Sequence, residues 1–207
     1  MLLNEIRDEQ GFIKYTTKKQ IADWFDRMVY SPPEYFINDD LTVNMEGNLN
    51  IPKKCQKIPF KMNSLRGNFV TTDDAAFASM VNMPKRIYGS VFINDCKLTN
   101  LDGMPELIGG SLYMDQNKIK SFHNIHVHLK EVNSFNLLTS YQFTCDEATN
   151  MLGLFFIKGL KKIFIKSTDK VKWLDLEYII NDHLKNGDVH SCQEQLLENG
   201  YREQAKL

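Results

Sequence analysis

Residues 89–115 read GSVFINDCKLTNLDGMPELIGGSLYMD, and this stretch decides the fold. Gly89 opens the segment SVFIN and Gly110 opens SLYMD, each a short run with alternate apolar residues. Working outward, Gly67 opens NFVTT and Gly47 opens NLNIP, so the four glycines are spaced by 20, 22 and 21 residues. Two residues after each glycine stand Leu49, Phe69, Val91 and Leu112; four after stand Ile51, Thr71, Ile93 and Met114. Period two describes a strand with one buried face.

A second set of columns runs between the strands. Twelve, nine, five and two residues before Gly89 are Phe77, Met80, Pro84 and Ile87. The same offsets before Gly110 give Leu98, Leu101, Pro105 and Ile108, and before Gly67 they give Cys55, Ile58, Met62 and Leu65. Each unit is thus a strand, a polar turn, two apolar returns and a last apolar position before the next glycine. The period lies in the range of leucine-rich repeats. One unit cannot bury its own apolar face, so neighbours must stack into a continuous core. The glycine permits either φ > 0 or a close backbone approach at the strand entry. The pattern decays after Ile119 and Phe122. A further strand is expected at 134–138, with Asn133 in the glycine's place and Phe135 and Leu137 facing inward. A last one is expected either through Phe155 to Ile157 or through Ile163 to Lys166.

The run KLTNLDGMPE (97–106) followed by LIGG (107–110) resembles the degenerate leucine-rich-repeat-like proteins of large tailed bacteriophages, whose units read roughly NKLTSLEGAPxxVGGxFxC. YFINDDLTVNMEGNLNI (35–51) resembles their entry strands, and HSCQEQLLENGYREQAKL (190–207) their C-terminal helical tail. The resemblance covers about residues 17 to 207. The second unit departs from it, with TTDDAAF (71–77) where the family has an Asn-rich turn. The resemblance implies a phage-encoded protein acting in the cytoplasm of the host cell, and it transfers no catalytic residue.

The flanks read as helices. Thr17 and Gln20 form a capping-box pair ahead of Ile21, Trp24, Phe25 and Met28 on one face, and Pro32 and Pro33 bar continuation. Downstream, Leu174, Leu176, Ile179, Ile180 and Leu184 mark a helix stopping at Asn186-Gly187. Asp188 then caps a second one carrying Val189, Cys192, Leu196 and Leu197, which ends at Gly200. The expected class is α+β: a short leucine-rich-repeat-like solenoid of stacked strands (41–166) with an N-terminal helical cap (1–40) and a C-terminal helical pair (167–207), in one continuous folded unit.

Of 207 residues, 43% are hydrophobic and 25% charged, a globular composition. A net charge of −1 argues against an electrostatic nucleic-acid binder. Lys158, Lys161, Lys162, Lys166, Lys170 and Lys172 form one local basic run, read as a solvated face, with a nucleic-acid regulator that stacks bases on Trp173 as the alternative. No apolar run is long enough for a membrane helix, and residues 1–10 lack the character of a signal peptide. Cys55, Cys96, Cys145 and Cys192 are scattered without a CxxC pair and read as free thiols.

The chemistry-bearing residues are few. His123, His126 and His128 are a weak metal candidate, and a metal-dependent enzyme centred on them is a further alternative, with His126 and His128 on one side of a strand; polar loop histidines explain the run as well. His190 and Cys192 sit on different faces of a short helix. The pairs Asp39-Asp40 and Asp73-Asp74 read as turn formers. GxSxG, GxxxxGK[ST] and GxGxxG motifs are missing, so neither a cofactor nor a small-molecule substrate is expected, and the chain reads as a non-enzyme. What remains is surface. Val70, Phe92 and Tyr113 stand three residues after successive glycines and form an outward apolar ladder, with Asn94 and Asp115 beside it; a flank folding over this face is the competing reading. Trp173 and Tyr201 are further candidate anchors, because aromatic residues dominate interface energetics. The expected partner is a host or phage protein, possible targets being a host enzyme or an antiviral defence factor that the chain inhibits.

Overall fold

The computed structural model describes residues 14–71, 75–114, 117–119, 121–138, 149–166 and 170–207, with only the backbone of 133–138, 166 and 170–174. The chain coils as a β-solenoid of about four turns, accompanied by a few helices.

Each turn carries two strands around a glycine corner. The first leg holds β2 (Val43–Glu46), β4 (Met62–Arg66), β6 (Arg86–Ile87) and the start of β8 (Leu107–Tyr113), paired in parallel in that order. The second leg holds β3 (Leu49–Ile51), β5 (Phe69–Thr71), β7 (Val91–Phe92) and the end of β8, again parallel. β9 (Glu131–Leu138) follows β8 along both legs, and β10 (Ile163–Lys166) pairs with β9. β1 (Glu34–Ile37) runs antiparallel to β2 at the other end. Among the described residues a third side has no strands but keeps the stacking bonds: Lys97 N–H to Phe77 O and Lys118 N–H to Leu98 O, both 2.8 Å.

The second-leg strands stand where the glycines place them, and every readable column is buried. Leu49, Phe69, Val91 and Leu112 are fully enclosed, as are Leu65, Ile87 and Ile108. Each such aliphatic side chain contributes roughly 2 kcal/mol of transfer free energy. The first-leg strands are a finding that the apolar columns did not announce. In β4 the buried residues are Met62 and Leu65, three apart, and the β2–β4 register shifts between Val43 and Asn44. That irregularity breaks period two and makes a strand look like a return. Ser111 pairs with Ser134, so Asn133 does occupy the glycine position. Of the two candidates for the last strand, Ile163–Lys166 is β10, whereas 155–157 leads out of a 3-10 helix (Met151–Phe156).

A glycine column lines the corner between the legs. Gly89 N–H bonds Gly67 O at 3.1 Å, and Gly110 N–H bonds Gly89 O at 2.9 Å. Stacked corners come so close that a Cβ on Gly89 would stand 2.5 Å from Gly67 O. Close approach therefore accounts for Gly67, Gly89 and Gly110, and only Gly47 in this column has positive φ. At the third-side corner Asn82, Gly103 and Asn124 adopt left-handed backbone at φ 70°, 80° and 58°. After Asn124 comes α2 (Ile125–His128), and after left-handed Asn150 comes the 3-10 helix, so helical turns replace loops as the coils proceed.

α1 (Lys18–Met28) opens on the expected capping box, Thr17 Oγ1 accepting from Gln20 N–H at 3.2 Å and Gln20 Oε1 from Thr17 N–H at 3.1 Å. Its buried Trp24 and Phe25 meet Phe60 edge-on, both with centroids 5.3 Å apart. α3 (Lys170–Leu184) packs on β10 and on α4 (Val189–Glu198); Asp188 Oδ1 caps α4 through Ser191 N–H at 3.0 Å. One hydrophobic cluster runs from Ile21 to Ala205, across all three segments of the sequence division.

Two buried thiols carry a testable consequence. Burial pushes the Cys55 thiol up to about 11 and the Cys192 thiol up to about 12, from an ordinary value of 9.0. The folded state therefore holds protons that the unfolded chain releases, so stability is unaffected below the unfolded value and falls as pH rises from about 9 towards 12. Alkylation with iodoacetamide at about pH 8 should leave Cys55 and Cys192 unmodified in the folded protein and label both in urea. Mass-spectrometric mapping reads this directly. Equal labelling rates in the two conditions would show that the sites are open.

Candidate partner-binding surface

The parallel register of the second leg determines the outward ladder. Asn50 pairs with Val70, Val70 with Phe92, Phe92 with Tyr113 and Tyr113 with Asn136. Equal offsets stack because each strand repeats the same Gly-to-strand distance, so three apolar side chains meet on one outward face. Phe92 and Tyr113 lie face to face, ring centroids 4.6 Å apart and planes 7° apart. Both rings and Val70 are half-buried, each shielding its neighbour, and Asn94 beside them is half-buried as well. The main packing contacts of the described helices lie elsewhere: α3 against β10 and α4, α4 against the 3-10 helix.

The remaining candidates are dispersed. Asp115 lies outside the described residues, as do Asp73, Asp74, Cys145 and the side chain of Trp173. Tyr201 packs half-buried against the core at the end of α4, its N–H bonding Leu196 O at 2.8 Å. Asp39 bonds Lys18 Nζ at 2.7 Å, and Asp40 accepts from Thr42 N–H and Oγ1; these bonds hold both carboxyls below their ordinary range. Both acids thus have turn and surface partners. His190 is exposed while Cys192 is buried, so the two face different ways.

The histidine run differs from expectation. Residues 125–128 form one helical turn, because Asn124 enters it in left-handed backbone, so His126 and His128 do not share the side of a strand. His123 Nδ1 lies 3.0 Å from the Leu207 main-chain oxygen, and His126 packs against Phe156 at 5.3 Å between centroids. Among the described residues no group of three or more His, Cys, Asp or Glu side chains converges as a metal site would require. In the basic run, Lys158 pairs with Glu131 at 3.3 Å, and Lys162 Nζ sits 4.4 Å from the Phe164 ring centroid. Lys161, Lys162 and Lys185 line an open depression together with Asp175 and Glu177, so acids interrupt the positive charge.

One polar column and one buried amide escaped the sequence reading. The residue after each corner glycine bonds the next coil: Asn48 Oδ1 accepts from Asn68 N–H at 2.9 Å, Asn68 Oδ1 from Ser90 N–H at 2.7 Å, and Ser90 Oγ from Ser111 N–H at 3.1 Å. The recurring Gly-Asn and Gly-Ser pairs were its signal. Inside, buried Asn117 donates to Ile93 O at 2.6 Å and Met114 O at 3.2 Å and accepts from Leu98 N–H at 3.2 Å. These side chains add to the backbone pairing of β7 with β8, which brings Phe92 and Tyr113 to stacking distance. An open groove of about 730 Å³ lies apart from the ladder and is lined by Asp39, Asp40, Lys61, Asn82, Lys85 and Glu106 among others. Among the described residues no helix is long and apolar enough to cross a membrane. No protein-family model, curated protein or solved structure matches the chain.

Proposed function

We propose that this chain is a non-enzymatic interaction protein on a leucine-rich-repeat-like scaffold, encoded by a large tailed bacteriophage, which binds and inhibits a host protein such as an enzyme or an antiviral defence factor. The observation that carries the reading is the stacked Phe92–Tyr113 pair on the outward face of the second leg. A pre-stacked aromatic pair offers large apolar area at little ordering cost, which is what an interface anchor needs. The scaffold assignment draws support from two units. Val91, Ile93, Cys96 and Leu98, then Leu112, Met114, Asn117 and Ile119, keep the L-x-L-x-x-N/C-x-L order of leucine-rich repeats. Asn117 bonds between coils as that position demands. In this reading α1 and the α3–α4 pair are caps that close the ends of the stack. The host cytoplasm is the proposed place of action, and occlusion of a partner's working surface is the mode.

Tagged protein mixed with host-cell lysate should retain one stoichiometric partner. Phe92→Asp and Tyr113→Asp should each weaken that binding by about thirtyfold, the scale of an interface hot spot. Because both rings are only half-buried, the variants should keep the wild-type circular dichroism. Retention of the partner at wild-type affinity by both variants would remove the ladder from the interface.

A further inference from the structure

The two ends of the solenoid sheet are finished differently. At the β10 end the outer backbone edge is closed by α3: Asn181 Oδ1 accepts from Ile163 N–H and Asn181 Nδ2 donates to Ile163 O, both at 2.8 Å, and Glu177 Oε2 accepts from Ile165 N–H at 2.7 Å. Side chains there occupy the positions that another strand would take. At the β1 end nothing comparable stands among the described residues. Asn38 N–H bonds Thr42 O at 2.9 Å in the β1–β2 hairpin, and the register pairs Phe36 with Asn44 and Glu34 with Glu46. Antiparallel strands alternate the direction of their backbone groups, so Phe36 and Glu34 turn theirs towards β2. Tyr35 and Ile37 turn theirs outward, where no described residue bonds them. On the outward face of the same strand Phe36 is 65% exposed, a large apolar ring beside an open edge.

We propose that β1 pairs antiparallel with β1 of a second copy of this chain, about a two-fold axis through Phe36. That register makes Tyr35 and Ile37 of each copy exchange both backbone bonds with Ile37 and Tyr35 of the other, so every outward group finds a partner. It also makes Phe36 a non-hydrogen-bonded pair with its own copy, the closest side-chain approach an antiparallel ladder allows. Glu34 then faces Asn38 of the second copy, without like charges in opposition. Neighbouring registers are poorer. Moving the axis to Tyr35 sets Ile37 against Pro33, which has no N–H to give, and moving it to Ile37 brings Glu34 towards Asp40. The edge is self-complementary in one register only, which is the signature of an isologous contact. With few residues on each side the dimer is a weak one, filling at high micromolar concentration.

Sedimentation equilibrium of the full chain over a wide concentration range tests this. Wild type should shift from monomer to dimer as concentration rises. Phe36→Lys and Phe36→Glu each place like charges across the axis and should weaken self-association by about tenfold or more, with unchanged circular dichroism and melting because the ring is exposed. An equimolar mixture of the two variants should dimerise again, since lysine then faces glutamate. A monomer at every concentration overturns the proposal. So does a dimer that both variants retain, or a mixture no more associated than its components.

Discussion

Gly89→Ala should destabilise the protein by at least about 3 kcal/mol, whereas Gly187→Ala should cost about 1 kcal/mol. The contrast isolates the reason. Gly187 has φ +66° with nothing within 4 Å of an added Cβ, so alanine there suffers backbone strain alone. At Gly89 the φ is not left-handed, but the added Cβ would stand 2.5 Å from Gly67 O and 2.6 Å from Gly67 C. Neither is the end of a flexible side chain. To make room, one coil must lift away from the next, and that breaks the Gly89 N–H to Gly67 O bond and loosens the Val91 column beneath it. Urea unfolding of the two variants beside wild type measures both effects. A Gly89→Ala loss no larger than that of Gly187→Ala would show that the corners do not need their close stacking.

Asn117→Leu should cost about 3 kcal/mol or more, although leucine keeps the branched shape of asparagine and is the more apolar. Asn117 is only 5% exposed, and its amide serves Leu98 N–H, Ile93 O and Met114 O, which span two coils. Leucine would leave three buried backbone groups without these bonds, and leaving such groups unpaired is worse than never having buried the polar side chain. The loss should be local as well as global. Amide exchange at Leu98 should accelerate beyond what the global destabilisation explains, and it is measurable by hydrogen–deuterium exchange. A variant as stable as wild type would mean that backbone pairing and the apolar columns hold the coils without it.

The buried columns were legible because a coil repeats its geometry and the chain must repeat its apolar residues in step. Leu49, Phe69, Val91 and Leu112 announce themselves by offset, and the outward Phe92–Tyr113 pair follows from the same count. Helix ends were legible for a local reason: Thr17, Asp188, Gly187 and Gly200 act on backbone within a few residues of themselves. The first-leg strands were not legible, since Met62 and Leu65 break the alternation that identifies a strand. Nor was the helical turn at 125–128, which depends on Asn124 adopting left-handed backbone at φ 58°.

Periodicity and caps, then, were determined by sequence alone, because both depend on residues a fixed short distance apart. The tertiary structure decided everything that depends on how one coil lies on the next. It chose close approach over positive φ for Gly67, Gly89 and Gly110, and it joined Asn117 to Leu98 and Ile93 of the preceding turn. It turned Asn48, Asn68 and Ser90 into a ladder, brought two rings to 4.6 Å, and closed the β10 edge while no described residue closes that of β1. Such contacts join residues about twenty positions apart in the chain, and their geometry exists only once the apolar columns have stacked.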